Sequence, residues 1–310
     1  VMEDFSPFDV DVTTEDPGVA GLTYSGGSDT TWGIRCVITP DDGWIRDNVD
    51  VIGGIAYVPS FKSGIDITCY VFSGNLGPND EKYIAEAASH EVGHTLGLGH
   101  DGTSSQGYYG GHNGSGTPGW APIMGVGYYQ ELAQWSRGEY PNANNTQDDL
   151  SVITNTTQNF GYRPDDAGGA IATATPATVV DTSLTFGGVI ERTNDVDVLS
   201  FPTGSGNVSF SFNPWVNSPN LDIRAELRNS AGTILASSDP LNVLSASFSA
   251  TIVTAGTYYL FIEGVGVGNA GTTGYSDYGS LGQYTVSGTV ISVSRLNSIE
   301  SSALNFVENQ

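Results

Sequence analysis

Three histidines stand in the stretch His90-Glu91-Val92-Gly93-His94-Thr95-Leu96-Gly97-Leu98-Gly99-His100-Asp101. Residues four apart share a face of a helix, so His90 and His94 can reach one ion. Glu91 falls on the neighbouring face, close enough to hold a water beside that ion. Gly97 lets the chain leave the helix through a backbone conformation that other residues resist. The turn then returns His100 as a third ligand. Three imidazoles bind zinc and leave its fourth position open to water, which is a catalytic rather than a structural arrangement. In such a site Glu91 is the expected general base. A bare pair of histidines at this spacing is weak evidence. Here three of the chain's four histidines fall on the extended pattern, with the Glu and the Gly also in place.

These residues need a helix that ends on time. Residues 80–96 (DEKYIAEAASHEVGHTL) predict one: Asn79 or Asp80 caps it, acids crowd its first turn, alanines fill its middle and Gly97 ends it. Residues 101–127 are rich in Gly, Ser, Pro and aromatics without a period and read as loop. A second helical stretch is expected from near Asn145 or Thr146 through DDLSVITNT. His112 lies in the loop GYYGGHNGSG, either as a further metal or substrate ligand or as a packing residue.

Cys36 and Cys69 sit in the β-like runs TTWGIRCVIT and IDITCYVF. They are expected to form a disulfide joining two strands; two buried free thiols are the alternative.

Composition changes after Gly161-Tyr162-Arg163-Pro164. The segment DDAGGAIATATPATVV reads as a linker, and beyond about residue 186 short alternating runs dominate (DVDVLSF, NVSFSF, LDIRAELRN, TYYLFIEGV, QYTVSGTV). Turn residues separate them, the pattern of an all-β sandwich. The expected organisation is a catalytic domain at 1–163, a sandwich at 164–292 and a tail at 293–310. The histidines and cysteines all precede residue 164, so the halves are expected to be separable there, with the chemistry wholly in the first. Asp195 and Asp197 alternate with apolar residues and face one side of a strand, either as calcium ligands or as a solvated strand face.

The histidine stretch resembles the zinc motif of the metzincin clan of peptidases, HExxHxxGxxH followed by a Met-turn. Asp101 after the third histidine is similar to the reprolysin (adamalysin-like) branch. The Met-turn equivalent is Ala121-Pro122-Ile123-Met124-Gly125, with Met124 one of two methionines in the chain. The resemblance implies that Met124 lies under the metal without binding it. Relatives with a tyrosine two residues beyond that methionine have Val126 here, and Tyr128 and Tyr129 come later. Those tyrosines either stabilise the transition state, line the pocket, or are simple wall residues. Residues 164–292 resemble the bacterial pre-peptidase C-terminal (PPC) domain, on Asp165-Asp166, the DVDVLSF run and Ala255-Gly256-Thr257-Tyr258-Tyr259-Leu260. The resemblance implies an α+β metzincin-like catalytic domain, a mixed sheet plus an active-site helix, followed by the all-β sandwich. It implies a secreted, extracellular bacterial zinc endopeptidase acting on protein or peptide substrates, with Zn2+ as its cofactor; Ca2+ enters only as the alternative at Asp195 and Asp197. The competing expectation is a binding or adhesion protein that carries a vestigial peptidase domain.

The balance of 34 acidic to 10 basic residues, a net charge of -24, would repel a phosphate backbone and argues against nucleic acid as a partner. The apolar runs are too short to span a bilayer, so no membrane partner is expected, and the chain is expected to be a monomer. It begins at Val1, which reads as a processed or trimmed product.

Overall fold

The computed structural model describes residues 1–45, 51–77 and 80–293. It divides into two compact units. The first comprises Val1–Pro164 together with two returning segments, Asn217–Asn220 and Gly266–Ser280; the second holds Asp165–Val216, Leu221–Val265 and the chain from Leu281 onward.

The first unit begins with a short helix, α1 (Gly18–Leu22). Its sheet is built from β1 (Arg35–Thr39), β2 (Gly54–Ile55) and β3 (Thr68–Phe72) in the order β1-β3-β2. β1 runs parallel to β3 and β2 antiparallel to it. The long helix α2 (Glu81–Leu96) packs on this sheet. Its Ala87 and Ala88 join Val71 of β3 and Leu76 in one buried cluster. Small alanines allow that approach, and burying the apolar face supplies most of the helix's stability. The Asp80 side chain accepts from the backbone N–H groups of Lys82 and Tyr83, capping α2. Asn79 lies outside the described residues. Gly97 ends the helix at φ 107°, a left-handed conformation that suits glycine. Beyond it come a parallel pair, β4 (Trp120–Pro122) and β5 (Leu132–Gln134), and the single-turn α3 (Asp149–Ile153).

The returning segments are bonded into this unit. Asn220 Nδ2 donates to Asp4 at 3.0 Å, and Gln134 Nε2 donates to the Asn220 carbonyl at 2.6 Å. The Tyr278 hydroxyl accepts from the Leu150 N–H at 2.8 Å and donates to Asp148 at 2.7 Å. The first unit therefore draws on residues beyond 1–164, and the expected boundary at Pro164 separates only the first of its three segments from the second unit.

The second unit has two sheets. Its strands are β6 (Thr175–Pro176), β7 (Thr178–Val180), β8 (Ser183–Ile190), β9 (Val196–Thr203), β10 (Gly206–Pro214), β11 (Ile223–Arg228), β12 (Ile234–Ser238), β13 (Ala246–Ile252), β14 (Gly256–Gly264) and β15 (Gly282–Thr289). One sheet has the order β13-β10-β15-β8-β7 and the other β12-β11-β14-β9-β6. Alternate residues point inward. Leu199, Phe201, Phe212, Leu227, Leu260 and Ile262 are fully buried between the sheets. The expected tail lies outside the described residues from position 294.

The expected α+β metzincin-like class is overturned. The described residues are mostly β-sheet, with three α-helices, of which two are five residues long. One sixteen-residue helix does not make a helix-rich catalytic domain. The second helical stretch shrinks to one turn because β-branched Val152, Ile153 and Thr154 follow so closely on its cap that little favours propagation. Much of the rest of the first unit is glycine-rich loop.

Candidate metal centre

α2 presents His90 and His94 one turn apart, both nearly buried, and the chain beyond Gly97 brings exposed His100 to them. One ring nitrogen from each of the three lies within 4.8 Å of the others. His90 Nδ1 donates to the Ile123 carbonyl and His94 Nδ1 to the Leu98 carbonyl, both at 2.9 Å. With Nδ1 carrying the proton, each Nε2 keeps its lone pair, which is how metal-binding imidazoles are oriented. His94 Nε2 and His100 Nε2 lie 2.9 Å apart. Two ligands of a tetrahedral zinc would stand about 3.3 Å apart, so a small outward shift would seat the ion. Burial, then the charge of His94, pushes His90 down to about 3. Burial lowers His94, and burial with His94 lowers His100. All three are thus held as neutral imidazoles, the form that ligates. The donor set, its tautomers and its spacing fit zinc.

Glu91 is 7 % exposed, and burial pushes its carboxyl up to about 8. A dication beside it would draw that value back toward the ionised form. A Cβ on Gly54 of β2 would stand 2.5 Å from Glu91 Oε1, so glycine at 54 is what admits the carboxylate. Among the described residues β2 is an edge strand of its sheet, and Glu91 packs against its Gly54.

Met124 is fully buried and its sulfur packs against Gly93, inside the helical turn that carries both histidines. The Met124 carbonyl accepts from Asp101 N–H at 2.8 Å, and Ile123 N–H donates to the Gln134 carbonyl at 2.9 Å. The 121–125 turn is thus tied to the third histidine on one side and to β5 on the other. Asp101 itself is buried behind the site, where the Tyr140 hydroxyl donates to it at 3.4 Å.

Of the tyrosines singled out in the sequence, Tyr128 stacks on Tyr83 with ring centroids 4.9 Å apart, and Tyr129 is 73 % exposed. Burial, then the charge of Glu91, pushes Tyr128 up to about 12. The aromatic ring against the histidines is Tyr108, 4.3 Å from His100 and 5.9 Å from His90 between centroids. Sequence reading passed over it. Its signal was an aromatic in the glycine-rich loop that follows the third histidine.

His112 is a packing residue. Its Nε2 donates to the Gly274 carbonyl and its Nδ1 accepts from the Tyr109 hydroxyl, both at 2.8 Å. Both nitrogens are used, which leaves none for a metal. Cys36 and Cys69 are direct partners in the β1–β3 register, yet both are free thiols and the expected disulfide is not formed. The buried Cys69 thiol instead bonds to Cys36, and that bond holds Cys69 protonated and lowers Cys36.

Asp195 and Asp197 part company. Asp197 is fully buried on β9 and accepts from the Tyr284 hydroxyl. Asp195 lies in the turn before β9, with one carboxylate oxygen within 4.8 Å of oxygens of Asp165 and Glu191.

No family model matches the chain, and no curated protein matches it. Among solved structures it is similar to the periplasmic inhibitor of g-type lysozyme PliG from Aeromonas hydrophila, at 8 % identity over 37 % of this chain and 94 % of that one, with a TM-score of 0.29. PliG from Salmonella Typhimurium matches at 17 % identity over 38 % and 99 %, with a TM-score of 0.25. The pre-peptidase C-terminal domain of a Bacillus anthracis collagenase matches at 16 % identity over 41 % and 98 %, with a TM-score of 0.27. These weak likenesses carry no functional assignment. No described helix is long and apolar enough to cross a membrane.

Proposed function

We propose that the chain is a secreted, monomeric zinc endopeptidase that hydrolyses peptide bonds of protein substrates. The observation that carries this reading is the convergence of three neutral imidazoles within 4.8 Å, with a nearly buried carboxylate one residue after the first of them. The motif-level resemblance to the reprolysin branch supports it at the site, though not in the fold class. The PPC resemblance of the second half supports export.

His90, His94 and His100 would hold the ion, and their carbonyl-bonded Nδ1 groups fix the ligand tautomer. Zinc, when bound, acidifies a water and polarises a carbonyl. With zinc in place, Glu91 would serve as the general base, taking the proton of the attacking water and returning it to the leaving amine. Among the described residues β2 is an edge strand, and an extended peptide paired along it would run close to Glu91, which packs on its Gly54. Tyr108 covers the exposed side of His100 and forms part of the wall of the site.

The retained Glu91 favours this over a binding protein with a vestigial peptidase domain. Casein hydrolysis by the zinc-loaded chain, abolished by chelator and restored by zinc, is the expected result. Stoichiometric zinc with no hydrolysis would support the binding protein instead.

A further inference from the structure

The two sheets of the second unit differ in chemistry. Strands β9, β11 and β14 of one carry Asp197, Arg224, Glu226, Arg228 and Glu263, whereas β7, β8, β10, β13 and β15 of the other hold no charged residue. Exposed strand faces are where a soluble domain ordinarily keeps its charges, and this chain has a net charge of -24. The uncharged sheet exposes hydroxyls and amides instead. Its register aligns Ser247, Ser211, Ser287 and Thr185 in one exposed row across four strands. The next row is Asn213, Thr285 and Gly187.

This second row opens into a groove of about 470 Å³, lined by Trp215, Asn213, Gln283, Asp166, Gly187 and Gly188 among others. Trp215 follows directly on β10, and its N–H donates to the Gln283 carbonyl at 3.1 Å, which fixes its backbone on the sheet. Its side chain is 39 % exposed and stacks on no other ring among the described residues. Asp166 is held by the Val189 N–H, which donates to its Oδ2 at 3.1 Å. A Cβ on Gly187 would meet only the Tyr284 carbonyl oxygen, at 3.8 Å, so the space above this glycine is open.

We propose that the groove and the row beside it bind an uncharged polysaccharide of β-1,4-linked pyranose units. A pyranose ring has a face of C–H groups and a rim of hydroxyls. The face suits the indole of Trp215, and the rim suits the amides of Asn213 and Gln283 and the carboxylate of Asp166, which together offer donors and acceptors. The volume lies within the range of about 300–1,000 Å³ for small-ligand clefts. Among the described residues no basic side chain lines the groove, so nothing there would neutralise an anionic ligand. Rows of hydroxyls offer an apolar peptide no pocket for its side chains. A β-1,4 linkage keeps successive rings in a straight, flat ribbon that can lie across the sheet, where strands repeat about every 4.8 Å and present a hydroxyl or amide at each step. The site is independent of the peptidase reading.

The test is a depletion assay. The full chain is mixed with washed microcrystalline cellulose or with chitin, the glucan and its N-acetylated counterpart, and the unbound protein is measured. Saturable binding to at least one solid is expected, unaltered by about 0.5 M sodium chloride because no charge is involved, and competed by cellohexaose or chitohexaose. Trp215→Ala removes the stacking face and Gly187→Val fills the groove, and each should weaken binding at least about tenfold. Valine at 187 meets no protein atom closely and suits an exposed strand position, so this variant should unfold at or above the wild-type temperature. Trp215→Phe, which keeps a ring, should bind more tightly than Trp215→Ala. No saturable binding to either solid, binding lost in salt, or wild-type affinity in both Trp215→Ala and Gly187→Val would overturn the proposal. Displacement by gelatin and not by the oligosaccharides would assign the groove to a peptide and overturn it equally.

Discussion

The sulfur of Met124 occupies the space where a side chain on Gly93 would begin: a Cβ there would stand 2.5 Å from it. Gly93 lies between His90 and His94 on α2, so the methionine is the floor on which the two ligands rest.

Gly93→Ala is therefore expected to displace Met124 and tilt the helical turn. Overpacking of this kind costs about 1–3 kcal/mol. Urea unfolding of the zinc-loaded protein should show that loss, and zinc should leave faster to a chelator. Unchanged zinc retention would mean that Met124 does not support the ligands.

Tyr108 lies over His100 through its ring, and the predictions follow from that contact. Tyr108→Phe should leave zinc retention and peptide turnover within about twofold of wild type, whereas Tyr108→Ala should speed zinc loss and raise KM several-fold. A phenylalanine variant as impaired in kcat as the alanine variant would assign the hydroxyl a chemical role.

Glu86, 5 % exposed on α2, has its carboxyl raised from 4.5 to about 7 by burial and then by Asp4, with Lys82 pulling the other way. A raised folded-state value means that the folded protein holds the proton more tightly than the unfolded chain. Its stabilising effect is complete below pH 4.5 and is lost as pH rises through 7. The loss is at most about 3 kcal/mol. Glu86→Gln should therefore gain stability relative to wild type at pH 8 but not at pH 5, with both proteins zinc-loaded. An equal difference at the two pH values would show that Glu86 does not titrate in this range.

Truncation after Pro164 removes Asn220, Gly274, Ser276 and Tyr278, which bond to Asp4, His112, Glu139 and Asp148 of the first unit. Each lost bond costs about 1 kcal/mol, and more where a buried group is left unpaired. The 1–164 fragment should unfold at least about 10 °C below the full chain, or fail to fold. A fragment as stable as the full chain would show these segments to be dispensable.

The sequence carried some of this plainly. The helix from its Asp80 cap to Gly97 was legible because capping acid, alanine-rich middle and terminal glycine agree on one register. The sheet strands of the second unit were legible from period-two alternation, as in Val208, Phe210 and Phe212 of β10. The return of residues 217–220 and 266–280 to the first unit was not, because both are turn-rich loops whose hydrogen-bond partners lie 86 or more residues away. The α+β class rested on the resemblance of one histidine motif to the metzincin clan, and a motif of twelve residues on a single helix does not fix the class of the fold around it.

The central claim is that this chain uses a zinc-activated water with Glu91 as the base. The most direct measurement compares casein hydrolysis by zinc-loaded wild type and zinc-loaded Glu91→Gln at matched metal content. Glutamine is close in shape and accepts no proton, so the account predicts active wild type and a variant that keeps one zinc per chain but loses at least about 100-fold in kcat. A Glu91→Gln enzyme retaining more than about a tenth of wild-type activity would place the base elsewhere and contradict the account.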